Sequence, residues 1–183
     1  MNPSTRYTTT AMALHWLTAL FIFTTFPLGV YMHELALSPL KLQLVSYHKW
    51  LGVTIFLLTV ARLAWRATHI PPPLPETIPL WQQRAAHGLH FLLYVLLLTI
   101  PLTGWLMSSA KGFPVVYLGL VQLPDLVGKD KVLGDLLAEV HEMLNFGLLA
   151  LVGMHIAAAL KHHFIEHDDT LRRMLPSGKR VES

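Results

Sequence analysis

The sequence predicts an all-α fold, a four-helix transmembrane bundle whose N- and C-termini both lie in the cytoplasm. Composition, four long apolar segments and the distribution of positive charge support this prediction. Of the 183 residues, 53% are hydrophobic and only 14% are charged, and the mean hydropathy is +0.47. Because soluble domains carry about 25% charged residues, this balance excludes a disordered or fibrous chain and argues against a soluble enzyme.

Four segments are long and apolar enough to cross a bilayer, which takes about 20 residues in a helix. The predicted helices span about 11–32, 45–65, 85–110 and 138–161. The first and third contain no Asp, Glu, Lys or Arg. We expect the whole chain, 1–183, to form a single integral membrane domain that crosses the bilayer several times.

The connections between these segments contain turn-forming and helix-breaking residues. Residues 34–44 join the first two helices, and a proline-rich stretch at 71–75 separates the second from the third. A longer connection at 111–135, rich in Gly, Pro and Asp, precedes the fourth helix.

Positive charge orients the bundle, because Lys and Arg favour the cytoplasmic side of a membrane. With the N-terminus inside, all seven arginines lie on the inner face. The inner set is Arg6, Arg62, Arg66, Arg84, Lys161, Arg172, Arg173, Lys179 and Arg180. The outer set is Lys41, Lys49, Lys111, Lys129 and Lys131. This bias predicts that both termini lie in the cytoplasm.

Residue counts narrow the chemistry further. Cysteine is absent, which excludes disulfides, thiolate metal sites and iron–sulfur clusters. A net charge of +3 is too small and too dispersed to indicate nucleic-acid binding. Histidine is unusually frequent, with 11 residues against 11 acidic ones. Because an ionisable side chain inside a bilayer is costly, histidines within the spans are candidates for function.

Four of these histidines pair by depth in an antiparallel bundle. His141 and His155 are 14 residues apart, which is close to four helical turns, so both face the same way about 21 Å apart. The first helix enters the membrane from the inside, so His15 lies nearest in depth to His155. The second helix enters from the outside, so His48 lies level with His141. The sequence therefore predicts two histidine pairs, one at each depth.

Two facing imidazoles suit haem better than a bare metal ion. Zinc or copper normally takes further protein ligands or water, whereas haem supplies four nitrogens and needs two axial ligands. Since no Cys-x-x-Cys-His motif is present, attachment is expected to be non-covalent. Two haem b groups with two histidine ligands each would favour electron transfer over oxygen activation. Gly52, one turn after His48, leaves room for a macrocycle or for close helix packing.

These residues resemble the bacterial cytochrome b561 family of four-helix, di-haem inner-membrane proteins. The matching stretches are HWL at 15–17, YHKWLG at 47–52, AHGLH at 86–90, HE at 141–142 and GMHIAAALKHH at 153–163. The resemblance covers almost the whole chain. The chain is also similar, more distantly, to the cytochrome b subunits of formate dehydrogenases and nickel–iron hydrogenases.

The resemblance implies that His15, His48, His141 and His155 are the axial ligands of the haem irons. It also implies electron exchange with the quinone pool, with ubiquinone as the expected acceptor. Some family members oxidise periplasmic superoxide and reduce ubiquinone. The physiological donor, the catalytic residues, and the choice between a superoxide:quinone oxidoreductase and a pure electron carrier stay open.

Further polar residues have more than one interpretation. His87 and His90 could contact haem propionates or a quinone, or His90 or His87 could replace His15 as a ligand, or both could pack at the interface. Arg62 shares the face of His48 and could bind a propionate, or it could anchor the helix at the inner surface. The outer lysines could steer an anion such as superoxide, although nearby acidic residues oppose that field.

Two other functions remain compatible with the sequence. The chain could be a haem-containing membrane anchor for a separate dehydrogenase or hydrogenase subunit, its redox partner. It could also be a small transporter that moves protons or metal along a histidine-lined path, and such a protein would be colourless. Membrane lipid is a partner in every case.

Overall fold

The computed structural model describes residues 6–74 and 78–175 and consists almost entirely of four long helices. They are α1 (Thr9–Glu34), α2 (Pro39–Thr68), α3 (Leu80–Ala110) and α4 (Lys131–Phe164). All four are long and apolar enough to cross a membrane, which confirms the predicted all-α transmembrane fold. Pro75, Lys179 and Arg180, which entered the prediction above, lie outside the described residues.

Each helix is longer than its predicted apolar span because polar residues cap and extend the ends. The side chains of Thr8, Ser38 and Asp130 accept hydrogen bonds from the first turns of α1, α2 and α4. The difference is largest for α4, which begins at Lys131 instead of about 138. There the Asp130 cap and the Lys131–Asp135 ion pair, 2.6 Å long, add a solvated turn before the apolar stretch.

The helices form two antiparallel pairs joined along one side. The backbones of α1 and α2 pack closely, as do those of α3 and α4, and α2 packs against α3. The backbones of α1 and α4 scarcely come within 8 Å of each other. Large side chains bridge this wider gap, and the Phe26 and Phe146 rings lie 6.0 Å apart. The bundle is therefore more open between α1 and α4 than between α1 and α2, α2 and α3, or α3 and α4.

A small apolar core lies at mid-depth. It consists of Ile55, Leu97, Ile100 and Leu148, each no more than 7% exposed. Leu148 is seven residues from both His141 and His155, so this core separates the two depths at which those histidines lie. Many large apolar side chains point outward instead; Leu20 and Phe23 are more than half exposed, as expected of a lipid-facing surface.

A short β-hairpin covers one end of the bundle, which we call the hairpin end. It pairs β1 (Val116–Tyr117) with β2 (Val121–Gln122) through a turn with positive φ at Leu118 and Gly119. The indole of Trp50 donates to the Val116 carbonyl at 2.6 Å, and the indole of Trp105 donates to the Pro124 carbonyl at 3.0 Å. These bonds hold the loop against α2 and α3.

The opposite end, which we call the termini end, contains the start of α1 and a chain segment after α4 that ends in a 3₁₀ turn (Arg172–Met174). The Trp16 indole donates to the Met174 carbonyl at 2.8 Å, and Arg6 donates to the Leu175 carbonyl at 2.7 Å. Arg173 donates to the Pro73 carbonyl at 2.7 Å. The two ends of the described chain are thus tied together beside the bundle.

Candidate functional site: two histidine layers

At the hairpin end, His48 of α2 and His141 of α4 face each other with ring centres 6.3 Å apart. We call this pair the hairpin layer. Nδ1 of His141 lies 3.1 Å from both the Ile100 carbonyl and the Thr103 hydroxyl of α3. The carbonyl accepts the Nδ1 proton, so the other ring nitrogen, Nε2, carries the free lone pair. His141 is therefore held in one orientation with a nitrogen available for a metal.

Glycines make room around the hairpin layer. A Cβ added at Gly29 would stand 3.0 Å from Cε1 of His48, and one added at Gly104 would stand 3.1 Å from Cε1 of His141. These distances are at the tight limit of ordinary carbon contacts, so the two rings occupy space that side chains would otherwise fill. A Cβ added at Gly52, which is half-buried, would meet nothing within 4 Å. Open space therefore lies one turn from His48.

At the termini end, three imidazoles converge instead of two. The rings of His15 and His155 have centres 6.1 Å apart, and His90 of α3 stands 5.2 Å from His155. We call these three residues the termini layer. Nδ1 of His15 is buried and makes no hydrogen bond to any described residue. Nδ1 of His48 in the hairpin layer is likewise buried without a hydrogen-bond partner among the described residues, so the anchor of His141 is what distinguishes the two layers.

A half-buried arginine lies beside the termini layer. The Arg62 guanidinium is 5.4 Å from the centre of the Tyr94 ring, and its charge acts on His15, His90 and His155. No acidic side chain of the described residues lies within ion-pairing distance of it. A cavity adjoins it, lined by residues that include Arg6, Tyr7, Arg62, Trp65, Arg66 and Tyr94. This end of the bundle is therefore suited to an anionic group.

The sequence did not separate His87 from His90, but the structure places them differently. His87 is exposed, and its Nδ1 lies 2.6 Å from the Gln83 carbonyl in the preceding turn. His90 points at His155 in the termini layer. Gly29 and the Ile100–Thr103 anchor were not identified from the sequence. Each acts across two helices whose facing no spacing within one helix reveals.

The donor set fits a haem with two histidine ligands at each layer. An imidazole nitrogen lies about 2.0 Å from the metal it binds, so two axial rings on one iron have centres roughly 6 Å apart. The spacings of 6.1 and 6.3 Å agree with this, whereas the 5.2 Å between His90 and His155 is too short. The open space beside Gly52 and the gap between α1 and α4 are where a flat macrocycle would need room.

Comparison with known proteins identifies the family to which the chain is similar. The family model described as prokaryotic cytochrome b561 matches residues 6–177. The chain is 35% identical over 176 residues to "Cytochrome b561 homolog 2" of Escherichia coli, covering 95% of this chain and 93% of that protein. It is 31% identical over 184 residues to "Cytochrome b561 homolog 1" of the same organism, covering 95% and 99%.

A third relative is named "Probable superoxide oxidase CybB", from Yersinia pestis. It is 26% identical over 175 residues, covering 95% of this chain and 98% of that protein. The family model and the relatives all extend over nearly the whole chain, including all four helices and both histidine layers. The chain therefore belongs to the prokaryotic cytochrome b561 family, the haem-containing electron-transfer proteins that cross the inner membrane several times.

Proposed function

We propose that this chain binds two haem b groups, one per histidine layer, and transfers electrons through the membrane between a donor and ubiquinone. His48 and His141 would hold the haem at the hairpin layer, and His15 and His155 would hold the haem at the termini layer. When bound, each haem supplies a one-electron redox centre with both axial positions filled.

The observation that carries this proposal is the pair of imidazole spacings, 6.1 Å and 6.3 Å, at two depths of one bundle. Both pairs use α4, and 14 residues separate His141 from His155, or about 21 Å along the helix. The apolar core around Leu148 fills the space between the layers. The chain thereby holds two redox sites in series across the bilayer and excludes water between them.

The termini layer is the candidate position for the anionic edge of a haem. Haem carries two propionate carboxylates, and a guanidinium pairs well with a carboxylate. Arg62 has its positive charge near all three histidines of that layer and no acidic partner among the described side chains. His90, whose ring centre lies 5.2 Å from that of His155, would contribute a hydrogen bond to a propionate or to a quinone. His87 is exposed, so it would contact a quinone only at the surface of the bundle.

The donor we propose is superoxide, supported by the name of the Yersinia pestis relative. Two superoxide anions would each lose one electron and become dioxygen, while one ubiquinone takes two electrons and two protons and becomes ubiquinol. With both termini in the cytoplasm, as the arginine distribution favours, the hairpin end would face the periplasm.

Among the described lysines at the hairpin end, Lys41, Lys49 and Lys129 form no ion pair, and Lys49 is the one adjacent to a proposed haem ligand. Lys49 is adjacent to His48, and its ammonium donates only to neutral carbonyls in the structure, those of Phe113 and Pro114, at 3.1 and 3.3 Å. Lys111 and Lys131 lie 3.6 and 2.6 Å from the Asp135 carboxylate, which offsets their charge. Lys49 would therefore contribute to the field that steers superoxide together with Lys41 and Lys129, and the Asp125 carboxylate near Lys49 would weaken that field.

The test combines haem quantification with kinetics. We expect the purified full-length protein to contain two haems per chain with the spectrum of six-coordinate, bis-histidine iron. Superoxide should reduce these haems in a stopped-flow experiment, and added ubiquinone should reoxidise them. A colourless protein would overturn the proposal and favour a transporter. Reduction only in the presence of a co-purifying dehydrogenase or hydrogenase subunit would overturn the superoxide step and favour the anchor role.

A further inference from the structure

A second cluster of metal-ligating side chains lies outside the two histidine layers, just beyond the end of α4. His162 is in the last turn of α4, and Glu166 and Asp168 follow in the segment that leads to the 3₁₀ turn. One ligand atom from each of the three residues lies within 4.8 Å of the other two. These residues take no part in the electron-transfer function proposed above.

Both carboxylates are directed at the same imidazole nitrogen. Oε2 of Glu166 and Oδ2 of Asp168 are each 2.6 Å from Nδ1 of His162. A ring nitrogen carries at most one proton, so it can satisfy only one of two carboxylate oxygens well. The other oxygen is left close to a nitrogen with no second proton to share. This crowding of three ligand atoms is typical of a cation site.

The remaining oxygen of each carboxylate already has a partner. Oε1 of Glu166 accepts a hydrogen bond from the Lys161 ammonium at 2.5 Å, and Oδ1 of Asp168 accepts one from the Thr170 backbone N–H at 2.8 Å. Such outer hydrogen bonds orient the ligating atoms of metal sites and are part of their design. Here they turn one free oxygen from each side chain toward His162.

A side-chain amide from a different helix also contacts this cluster. The side chain of Gln82, in the first turn of α3, lies within hydrogen-bonding reach of Glu166. Its amide oxygen, Oε1, is buried and has no hydrogen-bond donor among the described residues. The contact with Glu166 is a hydrogen bond from the Gln82 amide N–H to the carboxylate, so this amide helps to orient the Glu166 side chain.

We propose that His162, Glu166 and Asp168 form a binding site for one divalent transition-metal cation of the Zn²⁺ type. One imidazole and two carboxylates are ligands that Zn²⁺ accepts, and water would complete a tetrahedron. Ligand atoms around zinc stand about 3.4 Å apart, so the side chains would open slightly from 2.6 Å. The Glu166 side chain, 29% exposed, provides the entry path.

The bound cation would fasten the segment after α4 to the bundle. Asp168 belongs to this segment, and a few residues later Met174 accepts the hydrogen bond from Trp16, the neighbour of His15. A metal that links Asp168 to His162 would thus fix the chain beside the termini layer. We expect zinc to slow proteolytic cleavage within residues 165–175.

The experiment measures zinc directly, in full-length protein in detergent at neutral pH after EDTA treatment. Competition with a chromophoric chelator gives the affinity, and elemental analysis gives the stoichiometry. We expect one Zn²⁺ per chain, and an affinity loss of about tenfold or more in His162→Gln and in Asp168→Asn. The matched control is Asp169→Asn, which changes an exposed carboxylate 3.5 Å from Arg172 and should bind zinc as the parent does.

Three results would overturn the site. The first is that the parent protein binds no stoichiometric zinc. The second is an unchanged zinc affinity in both Asp168→Asn and Glu166→Gln, and the third is an equal loss of zinc affinity in Asp169→Asn. Glu166→Gln serves as the second variant if Asp168→Asn does not fold. If the haem proposal is wrong, zinc could bind the haem-free histidines of the two layers. Zinc bound there would persist in Asp168→Asn and disappear in His155→Ala, which distinguishes this outcome from failure of the zinc site.

Discussion

The hairpin layer and the termini layer each contain a facing pair of imidazoles but surround them differently. At the hairpin layer, α3 anchors His141, glycines leave room for both rings, and a hydrogen-bonded loop covers the end of the bundle. At the termini layer, a third imidazole and a half-buried guanidinium adjoin the pair, and Nδ1 of His15, like Nδ1 of His48 in the other layer, has no hydrogen-bond partner among the described residues.

The difference suggests a division of labour. Preorganised ligands hold a metal centre with little adjustment, so the hairpin layer is suited to a fixed redox site near the loop. Extra polar groups near the termini layer can stabilise charge and hold protons, which suits exchange with a quinone that takes up two protons. The same geometry of two imidazoles can therefore serve two tasks because the neighbours differ.

Removing one axial ligand from each layer should have the largest effect. We expect His141→Ala to lose the hairpin-layer haem and His155→Ala to lose the termini-layer haem, so that each protein retains one haem instead of two. Haem extraction and quantification per chain check this. The control is His33→Ala, an exposed histidine at the hairpin end. A stoichiometry unchanged in His141→Ala would refute the assignment of that layer.

The tight contact at Gly29 provides a smaller perturbation of the hairpin layer alone. In Gly29→Ala the new methyl group meets Cε1 of His48 at 3.0 Å, so the ring must shift by a few tenths of an ångström. We expect haem retention at this layer to fall about tenfold, consistent with an overpacking cost of roughly 1–3 kcal/mol. Gly88→Ala, where an added Cβ meets nothing within 4 Å, should retain both haems. Equal loss in the two variants would contradict the steric explanation.

The anchor of His141 has no counterpart at His15, which allows a further comparison. Thr103→Val removes the hydroxyl 3.1 Å from Nδ1 of His141 but leaves the Ile100 carbonyl. We expect the hairpin-layer haem to dissociate up to about tenfold faster, the lower end of outer-ligand effects, with no change at the termini layer. The control is Thr24→Val, an exposed threonine bonded to its own helix at Leu20. Transfer of haem to apomyoglobin measures both rates.

Removing the charge of Arg62 should change the midpoint potential of one haem and not of the other. Arg62→Gln removes a positive charge beside the termini layer, which disfavours the reduced haem. We expect the midpoint potential of that haem to fall by about 59 mV, a tenfold change for one electron, while the hairpin-layer haem barely changes. Potentiometric titration followed by optical spectroscopy resolves the two. Arg84→Gln, an exposed arginine at the same end, should leave both potentials unchanged.

The sequence by itself determined the four helices and the depth of each histidine. Long apolar runs form helices in a bilayer because every backbone polar group must be satisfied within the segment. The 14-residue interval between His141 and His155 places them at two depths on one helix face, because 14 residues are close to four whole helical turns. The helix ends were less predictable, since Asp130 and Lys131 extend α4 through capping and charge pairing and not through hydropathy.

Only the tertiary structure decided which neighbours each histidine has. The approach of Gly29 to His48, the anchor of His141 on α3 and the convergence of His90 with His155 all depend on how helices rotate and pack against one another. The same holds for Gln82 and Glu166, which come from different helix ends. Contacts within one helix follow from a fixed periodicity, whereas contacts between helices depend on side-chain packing along the whole bundle.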